Sequence, residues 1–245
     1  MDINRIMDRN INKLKQNSYP GRGIIIGLTP SQKHYVQVYW IMGRSENSRN
    51  RIFEQEGNFI RNKAFDESKM TDPSLIIYYP VMKFNGVHIV TNGDQTESIM
   101  KGMMNNQSFE QSLETREYEP DPPHLTPRIS GIINTTIKQY KLSILKSSRN
   151  RPEVSIKSFY NYSNFISGEG HCIHTYKEEV DGTLLSFDGE PFEVPLFDEI
   201  EAVKEYYWNI LNPENRISML VKFIDTANLQ ETISIINKKF LDINS

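Results

Sequence analysis

Apolar residues at Ile3, Ile6, Met7, Ile11 and Leu14 recur at helical spacing, and Tyr19-Pro20-Gly21 closes that segment. The period then shortens to two. "GRGIIIGL" and "HYVQVYWIM" flank the polar "TPSQK", whose Pro30 marks a turn, so a β-hairpin is predicted. In its second arm Tyr35, Gln37 and Tyr39 face one way while Val36, Val38 and Trp40 face the other. A second strand pair is predicted in "SLIIYYPVMKFNGVHIVTNG", because Asn85-Gly86 tolerates the positive φ angles of a tight turn. "DQTESIMKGMMNNQSFEQSLETREYE" reads as helical, with Ile99, Met103 and Met104 on its core face.

"YEPDPPHLTPRISG" holds four prolines in fourteen residues, which excludes a helix interior or a central strand and predicts a rigid loop. Strand-like alternation resumes in "GIINTTIKQYKLSILKSS" and "EVSIKSFYNYS", and "HCIHTY" and "SFDGEPFEVPLF" are short extended pieces. "EIEAVKEYYWNIL" is an amphipathic helix closed by Asn212-Pro213, and "ISMLVKFIDTANLQETISIIN" supplies two final strands. Strands, helix, strands, helix, strands, without linker or repeat, predict one α+β domain over 1–245 with mostly antiparallel sheets and segregated helices.

Composition narrows the function. With 245 residues, 38% hydrophobic and 11% aromatic, the chain can bury one sizeable core. A net charge of −3 argues against nucleic-acid or membrane-surface binding, though it allows a local cationic site. Cys172 is the only cysteine, which rules out an intramolecular disulfide and a four-thiolate zinc site. The N-terminal segment is charged throughout and no stretch approaches the roughly 20 apolar residues of a membrane span, so a soluble cytoplasmic protein is expected.

Four constellations can carry chemistry. "GRSENSRNRIF" gathers Arg44, Arg49 and Arg51 after a strand: either a solvated turn, or an anion clamp whose planar forks match phosphate oxygens, helped by Ser45, Asn47 and Asn50. "TNGDQTESI" follows a strand and opens a helix; it reads as a plain turn capped by Asp94 or Thr96, or as loop amides facing an anion. The proline loop fixes Glu119, Asp121, His124, Thr126 and Arg128, as a structural ion pair or as a held general base. In "GEGHCIHTY", alternation puts Cys172 and His174 on one face and His171 on the other, so a metal site is not expected and Cys172 reads as an ordinary buried thiol. No P-loop or dinucleotide fingerprint occurs.

These pieces in this order resemble the archaeal-type inosine monophosphate (IMP) cyclohydrolases. The match is carried by "YPGRGIIIGL", "GRS…NR", "YYPVMKFNGVHIVTNGDQT" and "YEPD…LTPRISG", with "GEGHCIHTY…GEP" similar to bacterial members. It runs from about Tyr19 to the last strands, leaving 1–18 as an N-terminal helical extension. The resemblance implies an αββα four-layer sandwich, like that of the N-terminal-nucleophile hydrolases but without their self-processing. It implies a cyclic amidine hydrolase acting on C–N bonds other than peptide bonds. This enzyme closes 5-formamidoimidazole-4-carboxamide ribonucleotide to IMP, the final step of de novo purine biosynthesis, without metal or organic cofactor. The implied partner is the purine ribonucleotide alone, and a homo-oligomer is expected.

Set against that chemistry, Tyr78 falls where the family has an active-site tyrosine, Glu119 is the candidate proton relay, and Arg128 orients that carboxylate or binds substrate. Arg44, Ser45, Asn50, Arg51, Asn92 and Thr126 are the expected substrate contacts, the arginine loop gripping the phosphate or the reacting end. Two other readings stay open: a non-catalytic purine-nucleotide-binding protein, and an N-terminal-nucleophile amidohydrolase, which needs Ser, Thr or Cys at a mature N-terminus.

Overall fold

A strand buried on both faces needs cover on both sides, and "GIIIGL" and "HYVQVYWIM" are such strands. In the computed structural model, which describes residues 2–57, 59–70 and 77–243, they sit inside a four-layer stack. Helix α1 (Ile3–Gln16) leads into the hairpin β1 (Gly23–Leu28) and β2 (His34–Met42), then a single helical turn α2 (Glu46–Arg49). Four strands follow, β3 (Arg51–Glu56), β4 (Phe59–Ala64), β5 (Tyr78–Phe84) and β6 (Val87–Thr91), and two helices, α3 (Gln95–Met104) and α4 (Phe109–Ser112). Next come β7 (Arg128–Asn134), β8 (Gln139–Ser147), β9 (Ser155–Tyr162), β10 (Glu169–His174), β11 (Tyr176–Val180), β12 (Thr183–Ser186) and β13 (Phe192–Pro195). Helix α5 (Ile200–Ile210), β14 (Arg216–Asp225), β15 (Glu231–Asn237) and α6 (Lys238–Ile243) finish the order.

The strands form a six-stranded sheet, β13-β10-β1-β2-β14-β15, and a seven-stranded sheet, β3 to β9 in chain order, while β11 and β12 pair only with each other. Pairing within both large sheets is antiparallel. Period-two alternation then assigns the layers. Val36, Val38 and Trp40 pack with Leu14 of α1 and Val203, Tyr207 and Trp208 of α5 on the outer face of the first sheet. Tyr35, Tyr39 and Ile41 turn inward against Val81, Val90, Ile129 and Leu142 of the second sheet. Ile89, Ile132 and Leu145 meet Ile99 of α3 and Phe109 of α4 on its outer face. The predicted αββα sandwich is the observed one.

Local signals explain most boundaries. Asp2 caps α1 through Asn4 N–H, and burying Leu14 is worth about 1.5–3 kcal/mol. Asn85 and Gly86 take φ values of 45° and 75°, the paired left-handed geometry of the expected tight turn. Gly23 stands opposite Trp40, where an added Cβ would lie 1.9 Å from the indole.

Several expectations are corrected. The stretch read as one long helix splits, because Asn106 adopts a left-handed φ of 59° and a Ser108–Gln111 capping box restarts the chain as α4. Met104 is 56% exposed rather than core, whereas Ile99 is fully buried. The arginine segment contains a helical turn capped by Ser45, and Arg51 already belongs to a strand. The β3–β4 hairpin and α6 were not foreseen. Of "SLIIYYP", Ser74 to Ile76 lie outside the described residues.

Candidate active site

Five segments distant in sequence bring polar side chains to one end of the inter-sheet layer. Arg22 precedes β1, Tyr39 lies on the inward face of β2, Arg51 opens β3, Tyr78 opens β5, and Glu119 comes from the proline loop. The Tyr39 and Tyr78 hydroxyls are 2.7 Å apart. Burial raises both phenols, and Tyr39 goes well above its ordinary value because Tyr78 also faces it. Arg51 and Arg22 pull Tyr78 back. Either hydroxyl can donate to the other, and when Tyr39 donates, the Tyr78 proton is free to point at a ligand.

Arg22 Nη2 stands 4.0 Å from Glu119 Oε2, with side-chain exposures of 13% and 2%. Burial works against the Arg22 cation, but Glu119, Tyr19, Tyr176 and Tyr78 outweigh it, and the net shift is upward. Its Nε has no hydrogen-bond partner among the described residues. Arg51 is 1% exposed; its Nε donates to Ser48 O at 2.7 Å and its Nη2 to Met42 O at 3.2 Å. Burial and the neighbouring Arg22 cation lower its pKa. Burial likewise raises the Glu119 carboxyl, against Arg22 and Arg128, which lower it. The buried Arg51 and the largely buried Arg22 guanidiniums thus face one buried carboxylate and two phenols, an excess of positive charge that suits an anionic ligand or a developing oxyanion.

The proline loop is pinned from both ends. Glu119 N–H donates to Thr126 O at 2.8 Å, Thr126 N–H donates to Asp121 Oδ1 at 2.7 Å, and the Thr126 hydroxyl bonds Asp121 and lies 2.6 Å from the Tyr176 hydroxyl. Tyr176 stacks on Tyr19 at 5.9 Å, and Arg44 lies 4.3 Å over the Tyr19 ring while pairing with Glu179 at 2.6 Å. Arg44 therefore reaches the cluster only through the Tyr19 ring.

The remaining expected contacts hold backbone. Asn92 donates to Pro127 O at 2.9 Å and accepts from Ile129 N–H and Gln95, stapling the "TNG" turn to β7. Asn50 exchanges two bonds with the Asp66 backbone, and Ser45 caps α2. Arg128 donates to Asp94 at 2.7 Å and to Gln95 at 2.8 Å; Asp94 also binds Arg116, so it serves these cations and does not cap α3. A Cβ at Gly93 would lie 2.6 Å from Arg128 Nη1 and 3.4 Å from Glu119 Oε1, so this glycine lets Arg128 stand behind the carboxylate. Arg49 turns away, to Gly43 O and Asn215.

The structure thus brings Tyr78, Glu119 and Arg51 within electrostatic reach of one another, sets Arg128 behind Glu119, and keeps Ser45, Asn50, Asn92 and Thr126 in the framework. Sequence reasoning missed Arg22, Tyr39, Tyr19 and Tyr176. Arg22 left one signal, a cation ahead of three isoleucines that are all fully buried.

Residues 19–228 match the family described as IMP cyclohydrolase-like protein. The chain belongs to that family. No curated protein matches it. The matched span takes in every residue of the inter-sheet cluster of this IMP cyclohydrolase-like chain and begins at Tyr19, after α1.

Proposed function

We propose that this protein closes 5-formamidoimidazole-4-carboxamide ribonucleotide to IMP with release of water. The reading rests on family membership and on one observation: Arg22, Arg51, Glu119 and Tyr78 converge on a buried inter-sheet site with an excess of positive charge. The carboxamide nitrogen attacks the formyl carbon, forming a C–N bond as the carbonyl electrons move to oxygen. The Tyr78 hydroxyl and the Arg22 guanidinium stabilise that oxygen, which takes up a proton to become a hydroxyl. Glu119 accepts the proton from the nitrogen. It passes that proton to the oxygen, making the hydroxyl, which leaves as water with the second proton, given up by the formamide nitrogen as that nitrogen forms the ring C=N bond. The poor amide nucleophile is helped by confinement, which in the best intramolecular cases is worth about 7–11 kcal/mol. In this reading Arg44, on the Tyr19 ring, meets the 5′-phosphate, a handle whose binding energy positions the reacting end.

A spectrophotometric assay of purified protein with the formamido ribonucleotide, chelator present, tests this. IMP formation is expected, with kcat lowered about 10²–10³-fold in Tyr78→Phe and about 10²–10⁴-fold in Glu119→Gln. Wild-type protein that binds IMP but forms none would sink the proposal; activity that survives both substitutions would move the chemistry to other residues.

A further inference from the structure

Beside helix α1 lies a cavity of about 760 Å³, between the C-terminal half of that helix, the β11–β12 hairpin and the segment carrying Phe187 and Phe192. That volume falls within the roughly 300–1,000 Å³ of small-molecule sites. None of the residues given a chemical role above lines it. His174, left unexplained by the cyclohydrolase chemistry, is in its wall: Cys172, two residues before, packs in the α1-side cluster, while Ile173 faces the inter-sheet core.

The lining chemistry is specific. Phe187 and Phe192 meet the His174 ring edge-on at 4.8 and 5.7 Å, making an aromatic wall, and Leu14 of α1 lies among the lining residues. His174 is 5% exposed, its Nδ1 is buried without a hydrogen-bond partner among the described residues, and burial pushes its pKa down to about 4, so the ring is neutral. Four carboxylates line the cavity against two lysines. Glu179 is paired with Arg44, Asp188 with Lys146 and Glu178 with Lys177, whereas Glu190 has no ion-pair partner among the described residues. Acceptors outnumber cations, which disfavours a phosphate and favours a ligand edge rich in N–H donors.

We propose that this cavity is a second ligand site, for an unphosphorylated aromatic nitrogen heterocycle with a donor edge, an aminopurine base or its nucleoside. Its ring stacks on the Phe187–Phe192 wall, and its amino and ring N–H groups donate to Glu190. A ligand seated there touches Glu179, the partner of Arg44, and lies beside Tyr19 and Tyr176, whose chain neighbours Ser18 and Lys177 line the cavity. The site is thus connected to the catalytic end without sharing its reacting groups.

Calorimetric titration of the full chain with guanosine tests the proposal. One site is expected, weakened at least about tenfold in Glu190→Gln, and weakened similarly for inosine, which lacks the 2-amino donors. Lys13→Trp, at an exposed lining position, is expected to abolish binding by filling the cavity, and Tyr78→Phe to leave it unchanged. No binding to wild type at millimolar guanosine overturns the site, as does binding lost in Tyr78→Phe but kept in Lys13→Trp. A Lys13→Trp-sensitive affinity for guanosine 5′-monophosphate equal to that for guanosine overturns the charge argument. None of these readouts depends on turnover of the formamido ribonucleotide, so this proposal and the cyclohydrolase reading fail separately.

Discussion

Arg22 is held in the charged form by groups that do not hydrogen-bond it: Glu119 is 4.0 Å away and Nε is unpartnered. A buried donor left unmade is costly unless a ligand completes it. Replacing the planar fork by a point charge in Arg22→Lys is expected to lower kcat about 10²–10³-fold with little change in melting temperature. Glu119 yields a second test. Burial raises its carboxyl, so the acid limb of kcat/KM is expected above the ordinary carboxylate value of about 4.3, activity rising with pH as the base ionises. In Arg22→Met, which removes a lowering cation, the Glu119 carboxyl followed by NMR titration is expected to move higher still. Of this cluster, Tyr78 was expected from the family resemblance, and Glu119 also from the proline loop that fixes a carboxylate beside a cation. Arg22 was not: a lone arginine between two glycines has no chemical context until strand pairing brings β1, β3 and the proline loop to one end.

Among elements, those with turn or capping chemistry were the readable ones. The Asn85-Gly86 turn is a clear case, and Gly86→Ala is expected to cost about 1 kcal/mol, seen as a lower melting temperature, since φ is 75° and an added Cβ meets Thr135 and Thr136 Oγ1 at 3.2 Å. The β3–β4 hairpin hid behind its charges. Glu54 pairs with Lys63 at 2.6 Å and Glu56 with Arg61 at 3.2 Å across the strands, so a charge-rich segment still satisfies its polar face. Helix α3 shows the opposite error: apolar count suggested a longer helix, but the left-handed Asn106 and the Ser108 cap decided where it stops. Arg51 was placed in a loop because its neighbours Arg44 and Arg49 are loop-like; the single turn of α2 separates them and turns Arg51 inward.

For the molecule as a whole, the order of strands and helices announced antiparallel sheets with segregated helices and the resemblance implied four layers, but neither told which strand joins which sheet. β10 reaches β1 across more than a hundred residues, a pairing with no local signal. Burial on this scale also governs acid stability. His88 is pushed down to about 3, by burial and then by Lys222, and His174 to about 4, by burial. Both are neutral when folded, and in the unfolded chain they take up protons near 6.5. Their contribution to stability is therefore full above about pH 6.5 and lost as pH falls toward 4 and then 3. Melting temperature is expected to fall through that window, with a shallower slope in His88→Gln; an unchanged slope would show that His88 is already protonated in the fold.

Trp40 and Trp208, the only tryptophans, both belong to the core between the six-stranded sheet and helices α1 and α5. Trp40 is fully buried and Trp208 is 5% exposed beneath the Arg216 guanidinium. The polar inter-sheet cluster carries tyrosines but no indole. Intrinsic fluorescence is consequently a one-sided reporter: its red shift times the undocking of the outer helical layer, and the proposed chemistry lies out of its sight. Any emission change on adding a ligand would register an event on the α1 side of the sheet, which makes a simple cuvette measurement a compass for where that ligand has bound.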